Sequence, residues 1–312
     1  MPSHRVLYLG PPDTLEFVSG ELSGMEVILA LQEAEVDEVL PSCDAILDAY
    51  MKIPFYSSRL QKARKLTLIV TATTGSDHID MSAALSQGVQ VLTLKGQTEV
   101  LGQLTPAAEH SWLLLMACAR KLLPATDHVL FGGWDRNRFP GTMLRGTTLG
   151  LIGCGRIGGW MSRYASAFGM TCIGYDPHIA DWPDTIKPAP LDEVLEDSDF
   201  VSVHVHLSPE TEGLVGAPEL AKMKRGAVLI NTSRGAIVDE AALLEALRSG
   251  HLGASGLDVL SAEPETAADP LVEYARDHDN LLITPHIGGF SPGALSTVLK
   301  FSCGRVREGL AN

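Results

Sequence analysis

The feature that most constrains the fold is a short apolar run that ends in a glycine-rich turn. The run is Thr148–Ile152, the turn is Gly153–Gly158 (GCGRIG), and a segment with helical character follows it. The first glycine permits a tight turn, the second lets the backbone approach a pyrophosphate, and the third lets the helix pack closely on the strand. The helix would present free N–H groups to the phosphates. The sequence therefore predicts a strand, a phosphate-binding turn and a helix, in that order.

An acidic residue follows at the distance that a dinucleotide site needs. The next predicted strand, Thr171–Tyr175, leads directly to Asp176, which lies 23 residues after Gly153. A carboxylate there can accept hydrogen bonds from the adenosine ribose hydroxyls, and it would repel a 2′-phosphate. His178 is the nearby candidate cation. The pattern therefore predicts NAD (NADH) as the cofactor and disfavours NADP.

Short apolar runs rich in β-branched residues recur along the chain and alternate with stretches of helical periodicity. This alternation predicts parallel sheets with helices on both faces. Ten predicted strands exceed the usual size of one open sheet, so we expect two Rossmann-like or flavodoxin-like α/β domains with the active site in the cleft between them. The predicted strands are Val6–Leu9, Ala45–Leu47, Leu66–Thr71, Val89–Leu94, Thr148–Ile152, Thr171–Tyr175, Phe200–Val205, Ala227–Asn231, Ala254–Val259 and Leu281–Thr284.

The domain boundaries are expected near an apolar helix between the two sets of strands. Residues 1–99 plus 291–312 are predicted to form the substrate (catalytic) domain, and residues 100–290 the NAD-binding Rossmann domain. The segment Pro106–Leu123 is rich in Ala and Leu and contains one Trp, which predicts a buried crossover helix with a further role in dimer packing. Thr126–Arg145 is expected to be a short helix and loop, and Pro292–Ala311 a last helix.

Composition excludes several classes of function. A net charge of −14 over 312 residues argues against nucleic acid and anionic membrane surfaces as partners, although a local cationic pocket can still bind an anion. No secretory signal and no apolar stretch of about 18 residues is evident. The five cysteines form no Cys-x-x-Cys pair. We therefore expect no metal site, no disulfide and a cytoplasmic location.

Ionisable residues follow three predicted strands of the second domain. Arg234 comes shortly after Ala227–Asn231, and Glu263 comes after the strand that contains Asp258. His286 follows the last predicted strand. Because ligands bind beyond the carboxyl ends of strands in open α/β sheets, these side chains are candidates for one site.

The sequence resembles the D-isomer-specific 2-hydroxyacid dehydrogenases, a family that includes phosphoglycerate, glyoxylate/hydroxypyruvate and formate dehydrogenases. The resemblance spans most of the chain. The matching segments are Leu149–Gly158, Tyr175–Pro177, Val203–Gly213, Ile230–Leu243, Gly256–Pro264, Thr284–Gly289, Thr71–Asp80 and Ala107–His110.

This resemblance implies a catalytic triad and a reaction, the interconversion of a small 2-oxo acid and its D-2-hydroxy acid by hydride transfer. His286 would donate a proton in one direction and accept it in the other. Glu263 would hydrogen-bond His286 and orient its ring. Arg234 would bind the carboxylate and polarise the carbonyl, because a planar, permanently charged fork suits that geometry.

The glycine turn and the resemblance together assign the remaining site residues. The residues expected to bind the cofactor are Gly153, Cys154, Gly155, Arg156, Ile157, Gly158, Asp176, His204, Thr232 and Asp258. The resemblance implies that backbone N–H groups of Thr73, Thr74 and Gly75 bind the substrate carboxylate. The family often has Gly at position 73 and Pro at position 206, where this chain has Thr and His.

Two residues after the second predicted strand could also face the substrate. Met51 and Lys52 follow it closely, and Lys52 could pair with a second anionic group such as a phosphate or phosphonate. A solvated lysine is the alternative.

Other functions within the family stay open at this point. Asp77–Asp80 (DHID) is close to the formate dehydrogenase branch, and phosphite dehydrogenase is a further alternative. Formate dehydrogenases usually carry Gln where this chain has Glu263. The family also includes NAD-sensing corepressors, which would make the chain a binding protein instead of an enzyme. A homodimer is the usual state of the family and is expected here.

Overall fold

The chain forms two compact units in a computed structural model that describes residues 4–311. One unit comprises Met1–Leu104 with Ser291–Asn312, and the other comprises Thr105–Phe290. The first contains a five-stranded sheet and the second a seven-stranded sheet, and every pair of neighbouring strands is parallel. The prediction of two parallel-sheet α/β domains is confirmed. The functional roles assigned to the two domains stay predictions.

The first unit has the strand order β2-β1-β3-β4-β5. Its strands are β1 (Arg5–Leu9), β2 (Glu26–Leu29), β3 (Ala45–Asp48), β4 (Leu68–Thr71) and β5 (Gln90–Leu92). Every residue of β3 and β4 is buried, as expected for central strands of a parallel sheet that is covered on both faces. The chain changes direction across the sheet between β1 and β3, so the ends of these two strands mark a topological switch point.

Helices cover both faces of this sheet. They are α1 (Leu15–Glu21), α2 (Glu33–Val39), α3 (Ser57–Leu60), α4 (Met81–Ser86), α5 (Thr98–Gly102) and the last helix, α13 (Pro292–Ala311). Helix α4 begins where the Asp80 carboxylate accepts a hydrogen bond from the Ala83 N–H, a common N-terminal cap. Apolar side chains of α13, among them Leu299 and Cys303, pack with Leu47 and Leu68 of the sheet. The predicted bounds of the last helix are confirmed.

The second unit has the strand order β12-β11-β10-β9-β6-β7-β8. Its strands are β6 (Thr148–Ile152), β7 (Thr171–Tyr175), β8 (Lys187–Pro188), β9 (Phe200–Val203), β10 (Val228–Asn231), β11 (Ala254–Leu257) and β12 (Leu281–Ile283). Strand β6 pairs with β7 on one side and β9 on the other. The switch point therefore lies at the carboxyl end of β6, where the glycine turn begins.

The helices of the second unit are α6 (Pro106–Arg120), α7 (Leu122–Leu130), α8 (Arg156–Ala167), α9 (Leu191–Asp197), α10 (Ala217–Lys222), α11 (Glu240–Arg248) and α12 (Pro270–Asp277). One helix was predicted over Pro106–Leu123, but α6 ends at Arg120 and Leu122 already belongs to α7. Lys121 has a left-handed backbone with φ of 50°, which ends α6 and lets α7 begin in a new direction.

Two strands were missed, and the reason is local sequence. Strand β2 (EVIL) lies at an edge of its sheet and none of its residues is fully buried. Strand β8 has two residues, one of them a proline. Charged, partly exposed or proline-containing edge strands carry little of the apolar signal by which strands are recognised.

Among residues 4–311, no helix is both long enough and apolar enough to span a membrane.

Candidate active site

Close backbone contacts explain two of the three glycines after β6. Gly153 has φ of 92°, and a Cβ added there would lie 2.5 Å from the backbone oxygen of His204. A Cβ on Gly158 would lie 2.3 Å from the backbone oxygen of Gly153, whereas one on Gly155 would meet open space. The first and third glycines are therefore required by packing, and the second leaves room for a ligand to approach the backbone.

The Asp176 carboxylate lies against this turn. One of its oxygens accepts a hydrogen bond of 2.9 Å from the Cys154 N–H, and the other accepts one of 2.9 Å from the His178 N–H. Each oxygen keeps a lone pair that can accept a further hydrogen bond. The arrangement suits a ribose diol beside the turn. The negative charge of Asp176 would disfavour a 2′-phosphate bound beside it.

The remaining residues of the turn support it structurally. Burial raises the pKa of the Cys154 thiol to about 12, so the thiol stays protonated and packs as a small apolar group. Ile157 packs against the core of its unit. Arg156 is the first residue of α8, and burial lowers the pKa of its guanidinium, which stays charged at neutral pH.

His204 and Thr232 follow β9 and β10. The Ser202 hydroxyl lies 2.8 Å from His204 Nε2. Burial of the ring lowers the pKa of His204 to about 3, although the residue as a whole keeps some exposed surface. His204 is therefore neutral at working pH and cannot serve as a cation for phosphates. The Thr232 hydroxyl lies 2.7 Å from that of Ser111 in α6. Cofactor contact by either residue stays a prediction.

Asp258, immediately after β11, holds the loop that carries His286. Its carboxylate is buried and accepts hydrogen bonds of 2.6 Å from the Thr284 hydroxyl, 2.9 Å from the Ile287 N–H and 2.7 Å from the Gly288 N–H. His110 Nε2 lies 3.3 Å from the same carboxylate. This supporting role was not foreseen from the sequence, which assigned Asp258 to the cofactor.

Replacing Asp258 by asparagine is expected to lower both stability and turnover. The amide would direct N–H groups at backbone donors, and an unsatisfied buried donor costs about 1–3 kcal/mol of unfolding free energy. Denaturant unfolding and steady-state kinetics measure the two effects. Asp277→Asn, an exposed position at the end of α12, is the matched control. Unchanged stability in Asp258→Asn would contradict the supporting role.

His286 and Glu263 form a direct pair in the second unit. His286 Nδ1 lies 2.9 Å from a carboxylate oxygen of Glu263, and the side chains are 42% and 32% exposed. The His286 backbone is left-handed, with φ of 54°, and its N–H donates to the Asp258 carbonyl over 2.8 Å. A non-glycine residue in this conformation is uncommon and is held by its surroundings. The pair therefore has a defined geometry while its ring stays accessible.

The loop after β10 presents Arg234. The Asn231 amide donates to the Arg234 carbonyl over 2.8 Å, and its oxygen accepts from the Ser233 N–H over 3.0 Å. A Cβ on Gly235 would lie 2.2 Å from the backbone of Leu260 and Ser261. This contact seats the arginine loop directly against the segment that leads to Glu263.

Glu240 supports that same segment and was missed from the sequence. Its carboxylate accepts a 2.7 Å hydrogen bond from the Ser261 N–H, and burial raises its pKa. Glu240 is the first residue of α11. Acidic residues are common in the first turn of helices, so nothing in the sequence indicated this further role.

The predicted substrate residues lie in the first unit. The Thr73 hydroxyl donates to the Gly75 carbonyl over 3.0 Å, so the threonine in place of the usual glycine stabilises the loop from within. Thr74 is partly exposed. Met51 has φ of 55°, and Lys52 Nζ lies 4.3 Å from the centre of the Tyr50 ring. Substrate contact by these residues stays a prediction.

Within the described part of the chain, no group of three or more His, Cys, Asp or Glu side chains is placed to hold a metal ion. The second unit combines the glycine turn with the hydrogen-bonded pair His286–Glu263 and with Arg234. This combination suits a dinucleotide and an anionic substrate that gains or loses a proton.

Comparison with protein families assigns both parts of the chain. A family model described as "D-isomer specific 2-hydroxyacid dehydrogenase, NAD binding domain" matches residues 112–288. Another, described as the catalytic domain of the same dehydrogenases, matches residues 6–177. The resemblance identified from the sequence motifs is confirmed, and so is the prediction of NAD as the cofactor.

Curated relatives agree with this assignment. A hydroxypyruvate reductase of Thermotoga maritima is 35% identical over 258 residues, 83% of this chain and 82% of the relative. A glycerate dehydrogenase of Methylorubrum extorquens is 34% identical over 276 residues, 86% and 81% respectively. A D-3-phosphoglycerate dehydrogenase of Archaeoglobus fulgidus is 36% identical over 84% of this chain, which spans about half (49%) of that relative's length.

Solved structures match over nearly the whole chain. An NAD-dependent formate dehydrogenase of Staphylococcus aureus in complex with NAD has a TM-score of 0.86 and 28% identity, covering 99% of this chain and 96% of the other. A D-lactate dehydrogenase of Aquifex aeolicus complexed with NAD and lactic acid has a TM-score of 0.86 and 27% identity, covering 98% and 95%.

Proposed function

Since the chain belongs to the D-isomer specific 2-hydroxyacid dehydrogenase family, we propose that it interconverts a small 2-oxo acid and its D-2-hydroxy acid with NAD. The observation that carries the proposal is the 2.9 Å hydrogen bond between His286 Nδ1 and Glu263. It gives the ring an acidic partner on one nitrogen and leaves the other nitrogen for a substrate.

NAD, when bound, takes up or supplies the hydride at C2 of the acid. The glycine turn, with Arg156 at the start of α8, would hold the pyrophosphate, because free N–H groups and the helix dipole favour anions there. Asp176 would accept hydrogen bonds from the ribose hydroxyls and disfavour NADP. His204, Thr232 and Asp258 are the further residues proposed to contact the cofactor.

His286 holds and moves the proton. Glu263 accepts the Nδ1 hydrogen, so Nε2 is the nitrogen that exchanges a proton with the substrate oxygen. In reduction, the doubly protonated ring donates from Nε2 to the oxygen on which negative charge develops. In oxidation, the neutral ring accepts the hydroxyl proton at the same atom.

Arg234 binds and orients the substrate. Its guanidinium can bind one carboxylate oxygen and the reacting carbonyl, since it is planar and permanently charged. A cation there also stabilises the charge that develops on the carbonyl oxygen. In the first unit, Thr73, Thr74 and Gly75 would offer backbone N–H groups to the carboxylate, and Met51 and Lys52 would contact the group beyond C2.

A substrate panel tests the proposal. The purified protein is mixed with NADH or NADPH and each of glyoxylate, hydroxypyruvate, pyruvate and 3-phosphohydroxypyruvate, and absorbance at the nicotinamide band is followed. Oxidation of NADH by at least one acid, with a lower rate for NADPH, is expected. No oxidation with any acid would overturn the dehydrogenase proposal and favour a corepressor-like binding protein.

Formate dehydrogenase is the second candidate, because Asp77–Asp80 is similar to that branch and a formate dehydrogenase structure matches the chain. Oxidation of formate needs no proton exchange with a hydroxyl, so it would not use the Glu263–His286 pair as an acid or a base. Incubation with NAD and formate or phosphite separates the candidates. Reduction of NAD by formate, with no turnover of 2-oxo acids, would reverse our preference.

A homodimer is proposed as the assembled state. Large exposed apolar side chains are concentrated in residues 113–168, where Phe131 and Trp134 are 90% and 89% exposed and Leu130 and Met143 are both 75% exposed. Apolar surface of this extent commonly marks an interface between proteins. Light scattering should give about twice the chain mass of 33.4 kDa. A monomer at micromolar concentration would contradict the proposal.

The cytoplasm is the proposed location. All five cysteines are buried free thiols, which is the usual condition of cysteines in a reducing compartment.

A further inference from the structure

A buried acid–imidazole pair lies in the first unit, whereas the glycine turn and the triad belong to the second unit. His78 Nε2 is 2.7 Å from a carboxylate oxygen of Asp48, and the two residues are 9% and 0% exposed. Burying an ionisable pair has a high desolvation cost, which further hydrogen bonds to the pair help to offset. The neighbours of the pair therefore indicate what it supports.

The Asp48 carboxylate holds the turn that follows β3. Its other oxygen accepts hydrogen bonds of 2.8 Å from the Tyr50 N–H and 3.0 Å from the Met51 N–H. Met51 has the left-handed φ of 55°, which a side chain rarely adopts without support. The carboxylate thus supports the conformation that places Met51 and, next to it, Lys52.

His78 holds the other end of the same segment through its backbone. Its carbonyl accepts a 2.7 Å hydrogen bond from the Phe55 N–H, and the Phe55 carbonyl accepts from the Asp80 N–H over 3.1 Å. The segment from Tyr50 to Phe55 is therefore attached to His78 at both ends, at its start through Asp48 and at its end directly.

The Thr73–Gly75 loop leads along the chain to His78. That loop runs from β4 to His78 and is closed by a 2.9 Å hydrogen bond from the Ile79 N–H to the Ser76 carbonyl. On its other side, the Thr73 carbonyl accepts from the Leu94 N–H over 2.9 Å. Asp48 and His78 therefore connect the two segments that are proposed to contact the substrate, the Met51–Lys52 turn and the Thr73–Gly75 loop.

The topology of the first sheet places the Asp48–His78 pair where a ligand is expected. Asp48 is the last residue of β3, and β1 and β3 flank the switch point of the first sheet. In open α/β sheets of this strand order, ligands bind beyond the carboxyl ends of the strands at that point.

We propose that Asp48 and His78 form a positioning pair for the substrate: their buried hydrogen bond keeps the Met51–Lys52 turn and the Thr73–Gly75 loop in the geometry that binds the 2-oxo acid. The inference rests on the proposed function. Neither side chain touches the reacting atoms. No described residue forms a hydrogen bond with the buried His78 Nδ1, so the contact of Nε2 with Asp48 is what orients the ring.

The test compares His78→Ala and His78→Gln with Val18→Ala. Glutamine can place an N–H near Asp48 and should restore part of the hydrogen bond. Val18 is fully buried on α1 and packs in the cluster on the opposite face of the sheet from Phe55, so its truncation lowers stability without touching the pair. The measurements are KM and kcat for the best acid of the panel, the NADH dissociation constant, and hydrogen exchange of the Tyr50 and Met51 amides.

His78→Ala should raise KM for the acid about tenfold, the effect of losing one charge-assisted hydrogen bond. kcat and the NADH dissociation constant should change less than about threefold, since the pair is proposed to act on substrate binding alone. The Tyr50 and Met51 amides should exchange at least tenfold faster. His78→Gln should show a smaller rise in KM and a smaller rise in amide exchange than His78→Ala. Val18→Ala should change neither KM nor the exchange of these two amides.

Three results would overturn the inference: a KM in His78→Ala no higher than in Val18→Ala, unchanged exchange of both amides, or a loss of kcat with KM unaltered. The amide exchange needs no turnover. If the wild-type protein reduces no acid, the proposed function fails, whereas the exchange rates still show whether the pair holds the turn.

Discussion

His286→Ala is expected to lower kcat by about 10²- to 10⁴-fold, the range typical for loss of a general acid–base residue, while NADH binds with unchanged affinity. The ring is the group proposed to exchange a proton with the substrate oxygen, and without it water would have to do so from an unfavourable position. The glycine turn lies at the end of β6 and has its own hydrogen bonds, so we expect binding of NADH not to depend on His286.

Fluorescence titration with NADH and steady-state kinetics measure the two quantities. Glu263→Gln should give a smaller loss of kcat, because glutamine can still accept a hydrogen bond but carries no charge to support the protonated ring. His278→Ala, an exposed histidine after α12, should behave as the wild type. A loss of NADH affinity as large as the loss of kcat would contradict the role of His286.

Arg234→Ala is expected to lower kcat/KM for the 2-oxo acid by about 10²- to 10³-fold, the cost of removing one group that stabilises a developing oxyanion. KM should rise as well, because the same guanidinium is proposed to bind the carboxylate before the reaction. Arg234→Lys should recover part of the loss, since lysine keeps the charge but cannot form the paired hydrogen bonds.

Arg225→Ala is the matched control for Arg234. Arg225 is exposed and precedes β10, at the opposite end of the strand from Arg234. Its removal should leave kcat/KM unchanged. If Arg234→Ala lowers kcat/KM no more than Arg225→Ala does, the substrate carboxylate is bound elsewhere.

The local features of the fold were predictable from the sequence. The strand before Gly153, with bounds Thr148–Ile152, and the last helix were predicted as the structure has them. Strong apolar runs and glycine spacing act over a few residues, so one sequence reveals them. The break at Lys121 was not predictable, because a lysine in left-handed conformation carries no local signal of it.

The candidate site was predictable to the level of residue types. Glu263 and His286, 23 residues apart, were paired through the resemblance and do form a hydrogen bond. The hydrogen bond between Asp48 and His78, which are 30 residues apart, was not predicted. Single-sequence patterns report periodicity and turns, whereas such a contact depends on how two strands and their loops come together.

The close fit of Gly153 against the backbone of His204 has a consequence for affinity. Gly153 packs against Gly158 of α8 and against His204, which follows β9. Through its hydrogen bond to the Cys154 N–H, the Asp176 carboxylate further restrains the turn. Its N–H groups thus acquire their directions when the unit folds. A dinucleotide would meet a preorganised site, and little loop entropy would be lost on association.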